Sequence, residues 1–389
     1  MNAVSFLTFL VGLTLSTSAT AQRFVSLDRA SGALYSPTVP LGVAFLSVHR
    51  TGNNMTHLAT VELPKRGFRV LGMATRFVGN EAAVDFDEIA LDVRAGVRFL
   101  RSLLGVSKVI LLGSSGGGQT VAYYQATASL ADKADGIVFL DAHLGIATIN
   151  LRGLNPLQPG LDPFDKSNGY NPDGDSTYSR DFVDRYSKAQ AVRMSNLVAK
   201  AIDMEASAAG PADDDAFTVY HAAARLADLS TSVQKSTLQQ RKLIKNDGSV
   251  RTQIISTVRV SDPGLKQDDD TFDKGALHLT LNSFLGANAI RATHALYGID
   301  WCSDHASTIC SVRRISVPTL VVVAQGHYFI RDGELIFINS ASGNKDFYAI
   351  EGMAHTLGPC LPCSRVTGVS YSNATKNVFD LVVSWVVKR

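Results

Sequence analysis

The sequence predicts an α/β protein, with a mostly parallel central sheet, helices on both faces and a mainly helical cap insertion. Three observations carry this. Short apolar runs recur at Val43 to Val48, Phe68 to Met73, Lys108 to Leu112 and Gly136 to Leu140, each with the length and composition of a strand buried on both faces. Between the second and third runs, Ile89, Val93, Val97, Leu100 and Leu104 recur at helical spacing and fall on one face. After a long interval the strand pattern resumes at Val317 to Ala324 and Asp346 to Ile350. Strands and helices alternating at this pitch build a parallel sheet with crossover helices.

Taken in order, the chain opens on an apolar stretch from Phe6 to Leu15, followed by Ala19-Thr20-Ala21. This reads as a signal peptide over residues 1–21, cleaved before Gln22, although no Lys or Arg precedes the stretch. The run is too short to span a bilayer. The mature chain is therefore expected to be soluble and secreted or periplasmic. Residues 22–145 hold the first part of the core. After Gly145 the turn clusters Asn155-Pro156, Pro159-Gly160 and Asn171-Pro172-Asp173-Gly174 open the insertion, assigned to residues 146–316, with helices expected from Asp181 to Ala206 and from Asp215 to Leu229. Residues 317–389 complete the core, and Val378, Leu381, Val382 and Trp385 give a closing helix its apolar face.

Of 389 residues, 46% are hydrophobic, enough for a large core; the net charge is +2 with the two signs interspersed, so nothing points to nucleic acid. Four cysteines lie in two close pairs, Cys302 with Cys310 and Cys360 with Cys363. In an exported chain two disulfides are expected, locally paired in preference to a bridge from one pair to the other. Cys360 and Cys363 also have the CxxC form of a redox site, and four cysteines can bind zinc, but neither reading has a supporting strand-helix context or ligand spacing. Two sequons occur, at Asn54 and Asn373.

The chemistry centres on Gly113-Ser114-Ser115-Gly116-Gly117, a GxSxG pentapeptide between the third apolar run and a helical stretch from Gln119 to Ala128. A sharp strand-to-helix turn presents the central Ser115 as a nucleophile, and glycines on both sides remove Cβ clashes. A P-loop would need a Lys-Ser/Thr pair that is missing here, and the spacing of a dinucleotide fingerprint is also missing. A serine needs a base and an acid to orient that base. His355, on a glycine-containing loop after the last strand, is the expected base. Three carboxylates compete as the acid: Asp332, ranked first because it gives the chain order serine, acid, histidine; its neighbour Glu334; and Asp141, which ends the fourth apolar run. Asp332 also suits a helix N-cap.

This pattern resembles the α/β-hydrolase superfamily, over most of residues 40 to 389, with the insertion where that superfamily commonly carries a cap. The resemblance implies a serine hydrolase acting on a carboxylic ester or related small acyl substrate, with a peptidase, an acyltransferase or a catalytically silent binding protein as alternatives. It implies an oxyanion hole built from the Gly116 amide and one from the loop His49-Arg50-Thr51-Gly52, with Thr51 or Arg50 as the donor and His49 holding the loop. One departure stands out: the superfamily's usual acid position after the strand is occupied by Phe329. No cofactor is expected and no metal is required; His143 near Asp141 is too little to define a metal site.

Overall fold

The computed structural model describes residues 20–207, 215–262 and 275–389. The segment read as a signal peptide lies outside the described residues up to position 19, whereas Thr20 and Ala21 open the first strand. Among the described residues no helix is long and apolar enough to cross a membrane.

The main sheet contains β1 (Thr20–Leu27), β2 (Ala30–Pro37), β3 (Val43–Ser47), β4 (Arg69–Ala74), β5 (Lys108–Ser114) and β6 (Gly136–Leu140). After one short cap strand, β7 (Ala216–Val219), come β8 (Arg241–Ile244) and β9 (Val250–Gln253), which rejoin it. The remaining cap strands are β10 (Leu277–Thr280), β11 (Arg291–Ala292) and β12 (Ile299–Asp300), followed by β13 (Thr319–Ala324) and β14 (Lys345–Ile350) of the main sheet. The order across the sheet is β1-β2-β4-β3-β5-β6-β13-β14-β8-β9. Pairing is parallel from β4 through to β8 and antiparallel at both edges.

The strand alternation sorts side chains into two layers. Along β5, Val109 and Leu111 face one layer and Ile110 and Leu112 the other. The first layer is covered by the helices Phe86–Ser102, Gly116–Thr127 and Ile330–Asn339, the second by Ala374–Val387 with Val378, Val382 and Trp385 inward. Helix Phe86–Ser102 buries Ile89, Val93, Val97 and Leu100 as its spacing predicts, and Asp85 caps it by accepting from the Asp87 and Glu88 amides at 2.8 and 3.2 Å. Leu104 does not join that face: the helix stops at Ser102 and Leu104 projects into solvent.

The insertion is less uniform than the sequence implies. Helix Arg180–Ser207 occupies the expected span, but the helix expected over 215–229 is β7 plus one helical turn, Leu226–Leu229. Phe217 and Val219 alternate inward and β7 pairs antiparallel with β10, far along the chain, so a distant partner overrides local pattern. Nor is all of 146–316 cap. β8 and β9 extend the main sheet beyond β14, and Ile309 and Val312 of the helix Thr308–Val312 join the core layer around Gly116–Thr127. The cap proper has its own apolar clusters, one around Leu151, Met194, Phe217 and Phe284, another around Phe164, Tyr178, Phe182 and Tyr186.

Disulfides join Cys302 to Cys310 and Cys360 to Cys363. Of the two sequons, Asn54 is buried with its amide donated to Ser47 Oγ at 3.0 Å, whereas Asn373 is exposed.

Candidate active site

At the end of β5 the chain reverses into helix Gly116–Thr127 at Ser115, whose φ of 55° and ψ of −125° lie in the region that L-residues avoid. The turn is this tight because two glycines permit it. A Cβ on Gly113 would collide with the Gly117 carbonyl oxygen, and one on Gly117 with the carbonyl oxygen of Val48. The Ser115 amide is held by Leu140 O at 3.1 Å and its carbonyl by the Gly118 amide at 3.0 Å. The side chain is thus fixed at a helix N-terminus, where amides have no intrahelical acceptor.

His355 reaches Ser115 from the loop after β14. Its Nε2 lies 2.9 Å from Ser115 Oγ and its Nδ1 lies 2.6 Å from Asp141 Oδ2. The loop is pinned by the Ala354 amide to Gly358 O at 2.8 Å and by the Cys360 amide to Gly352 O at 2.8 Å, directly ahead of the Cys360–Cys363 disulfide. Phe329 packs edge-on to the imidazole, with ring centroids 5.4 Å apart.

The acid facing His355 is therefore Asp141, not Asp332. Asp141 follows β6, is fully buried and has a φ of 45°. Its amide donates to Val322 O at 2.7 Å, and its Oδ1 accepts from the Ala324 amide at 2.9 Å, leaving Oδ2 for His355. Burial alone would raise its carboxyl, but the nearby His327 and the hydrogen bond from His355 hold it well below the usual carboxylate range. Asp332 cannot serve: its carboxylate is held by Arg152 Nη1 at 2.9 and 3.1 Å and by Gln234 Nε2 at 3.1 Å. Glu334 is committed likewise, to the Gln239 amide and Arg241 Nε, both at 3.0 Å, and to the Leu238 amide. Both carboxylates tie insertion segments to the helix Ile330–Asn339.

His327 was not singled out by sequence. It stacks on His355 with centroids 4.3 Å apart, and its Nδ1 lies 2.8 Å from the same Asp141 oxygen without the alignment of a hydrogen bond. Asp141, His327 and His355 offer a possible ligand set, but Asp141 Oδ2 lies 2.6 and 2.8 Å from the two imidazole nitrogens, hydrogen-bond spacing and closer than the roughly 3.4 Å between donors around a tetrahedral ion with bonds of about 2.0–2.2 Å. Its position directly after a strand-closing glycine was the one sequence cue. His143 is buried, with Nδ1 accepting from the Gly145 amide at 3.1 Å, and burial pushes its imidazole well below the ordinary value.

The loop after β3 differs from expectation in one donor. The Thr51 amide is turned onto His49 Nδ1 at 3.2 Å, beside the Gly52 amide at 2.8 Å, so it is not free to face a substrate oxygen. Thr51 Oγ1 bonds to Glu81. His49 holds the loop, as expected, while Gly116 keeps its position at the start of the helix.

The sheet order, the strained serine elbow and the histidine loop after the last parallel core strand define an α/β-hydrolase fold with a cap. No family model matches the chain, and no curated protein matches it. In overall shape it is similar to the α/β hydrolase GrgF from Penicillium sp. sh18, at 10% identity over 86% of this chain and 89% of that one, with a TM-score of 0.45. It is similar also to Est1E from Butyrivibrio proteoclasticus, at 10% identity over 94% and 99%, with a TM-score of 0.43. A proline iminopeptidase of Mycobacterium smegmatis gives 11% identity over 95% and 98%, with a TM-score of 0.41.

Proposed function

We propose that this chain is a serine hydrolase that cleaves a carboxylic ester or related acyl bond through an acyl-enzyme. The observation that carries the reading is the continuous relay Ser115 Oγ to His355 Nε2 at 2.9 Å and His355 Nδ1 to Asp141 Oδ2 at 2.6 Å, mounted on a strained elbow. Ser115 attacks the carbonyl carbon while its proton passes to His355 Nε2. Asp141 keeps the other imidazole proton on Nδ1 and stabilises the imidazolium. The oxyanion is met by the Gly116 amide. His355 then protonates the leaving alcohol, and a water activated by the same nitrogen releases the acid and restores Ser115.

Export belongs to the same proposal, supported by two disulfides that persist in an oxidising compartment.

The test is release of p-nitrophenolate from esters of graded chain length. The wild type turns over at least part of the series and Ser115→Ala does not; equal rates for the two would reject the reading.

A further inference from the structure

A buried guanidinium beside the nucleophile has one nitrogen without a hydrogen-bond partner among the described residues. Arg50 is only 7% exposed, and Glu81 grips two of its three nitrogens, Nε at 3.0 Å and Nη2 at 3.1 Å. The third, Nη1, is buried without a hydrogen-bond partner among the described residues. A buried guanidinium N–H left unmade costs free energy, and such groups call for an explanation. Its position supplies one. A Cβ on Gly116 would overlap Nη1 and would lie 2.7 Å from His49 Nε2, so both nitrogens converge on the residue directly after Ser115.

The second nitrogen is a donor too. His49 Nδ1 accepts from the Thr51 and Gly52 amides, which places the proton of the neutral ring on Nε2. Burial first and Arg50 second lower His49 to about 4, so the ring stays neutral near pH 7. The fixed positive charge at this point is the guanidinium, and its bidentate hold by Glu81 sets the direction of the free nitrogen.

We propose that Arg50 Nη1 is a catalytic donor to the tetrahedral oxyanion formed on Ser115, acting with the Gly116 amide and His49 Nε2–H. This rests on the serine-hydrolase reading above. It gives the site a side-chain cation where the fold usually relies on amides, and it accounts for Gly116: any side chain there would displace the guanidinium. A positive donor matched to a charge that exists only in the transition state lowers the barrier without tightening substrate binding.

The experiment measures kcat and KM for a neutral p-nitrophenyl ester and for the same ester of a short dicarboxylic acid, together with the rate of fluorophosphonate labelling. The variants are Arg50→Gln, Arg50→Lys and Arg50→Gly, each checked for native melting. Arg50→Gln should lower kcat by about 10²–10³ on both esters with KM nearly unchanged, and slow labelling by a similar factor. Arg50→Lys, which keeps the charge, should lose less. Added guanidinium, below denaturing concentration and against a sodium chloride control, should restore part of the rate of Arg50→Gly and leave Arg50→Gln unaffected. A loss confined to the dicarboxylic ester and expressed in KM would overturn the proposal, since Arg50 would then bind a substrate carboxylate. So would wild-type rates in a folded Arg50→Gln, or a folded Arg50→Gly that guanidinium does not rescue. A wild type that fails to label at all would instead reject the serine-hydrolase reading itself.

Discussion

Replacing Asp141 by Asn separates the acid that the geometry selects from the acid that chain order favoured. Asparagine has the same shape, so its Oδ1 continues to accept the Ala324 amide, as the aspartate does at 2.9 Å. The amide NH₂ then takes the place of Oδ2, 2.6 Å from His355 Nδ1. Two donors cannot share that contact, so the imidazole must move its proton to Nε2, where it can no longer accept from Ser115. Flipping the amide restores an acceptor for His355 but sets the NH₂ against the Ala324 amide, at a cost of about 1–3 kcal/mol for a buried donor left unpaired. The productive tautomer is therefore either lost or held only with two donors facing each other. The expected fall in kcat is about 10⁴, equivalent to roughly 5.4 kcal/mol of transition-state stabilisation. The assay is ester turnover at saturating substrate, with melting curves to show that the variant is folded. Asp332→Asn, measured in parallel, should keep kcat within a few-fold. A folded Asp141→Asn with near-wild-type turnover, alongside an Asp332→Asn that is folded but inactive, would refute the assignment.

Three further outcomes concern stability. Asp332→Ala leaves Arg152 buried without its carboxylate and should cost about 3–5 kcal/mol in urea unfolding, with ester turnover of the folded fraction unchanged. Burial raises Asp304 to about 8 although the Ala306 amide opposes this, and its Oδ2 has no hydrogen-bond partner among the described residues. A carboxyl with a folded value above its unfolded one favours folding below pH 4 and loses that contribution as pH rises towards 8, at about 1.4 kcal/mol per unit. Asp304→Asn should therefore gain on the wild type between pH 4.5 and pH 8, and a difference independent of pH would show that Asp304 is ionised in the fold. Removing the Cys302–Cys310 bridge, which spans a separation of 8 residues, by paired serines should lower stability by about 2–3 kcal/mol, read from denaturant midpoints, without changing kcat.

The buried parallel strands could be read from sequence because both faces of each are apolar, which leaves little else for runs such as Gly136 to Leu140 to become. The edges could not. β1 is almost wholly exposed, β9 is exposed throughout, and β8 buries only Leu243 and Ile244, so none of them carries a core signature. β7 has a helix-like local pattern, and what makes it a strand is pairing with β10, across an interval of chain that no local pattern encodes. Ser115 was legible because an elbow constrains residues close in sequence, and His355 because its glycine-containing loop follows the last strand. The acid was not, since two strand ends, β6 and β13, each present a carboxylate nearby and only packing selects one. Phe329 in the usual acid position was the available signal: an aromatic edge on His355 leaves no oxygen there, and Asp141 is the next carboxylate to reach Nδ1. Likewise, the turn of the Thr51 amide onto His49 depends on a side-chain acceptor two residues back, which spacing alone does not orient.

The central claim is that Ser115 is the activated nucleophile, and the most direct measurement is the mass of the protein after reaction with a fluorophosphonate, followed by peptide mapping. The account predicts one phosphonyl adduct per chain, located on Ser115, absent from Ser115→Ala and strongly slowed in Asp141→Asn. An adduct on another residue, or labelling of folded Ser115→Ala at the wild-type rate, would contradict it.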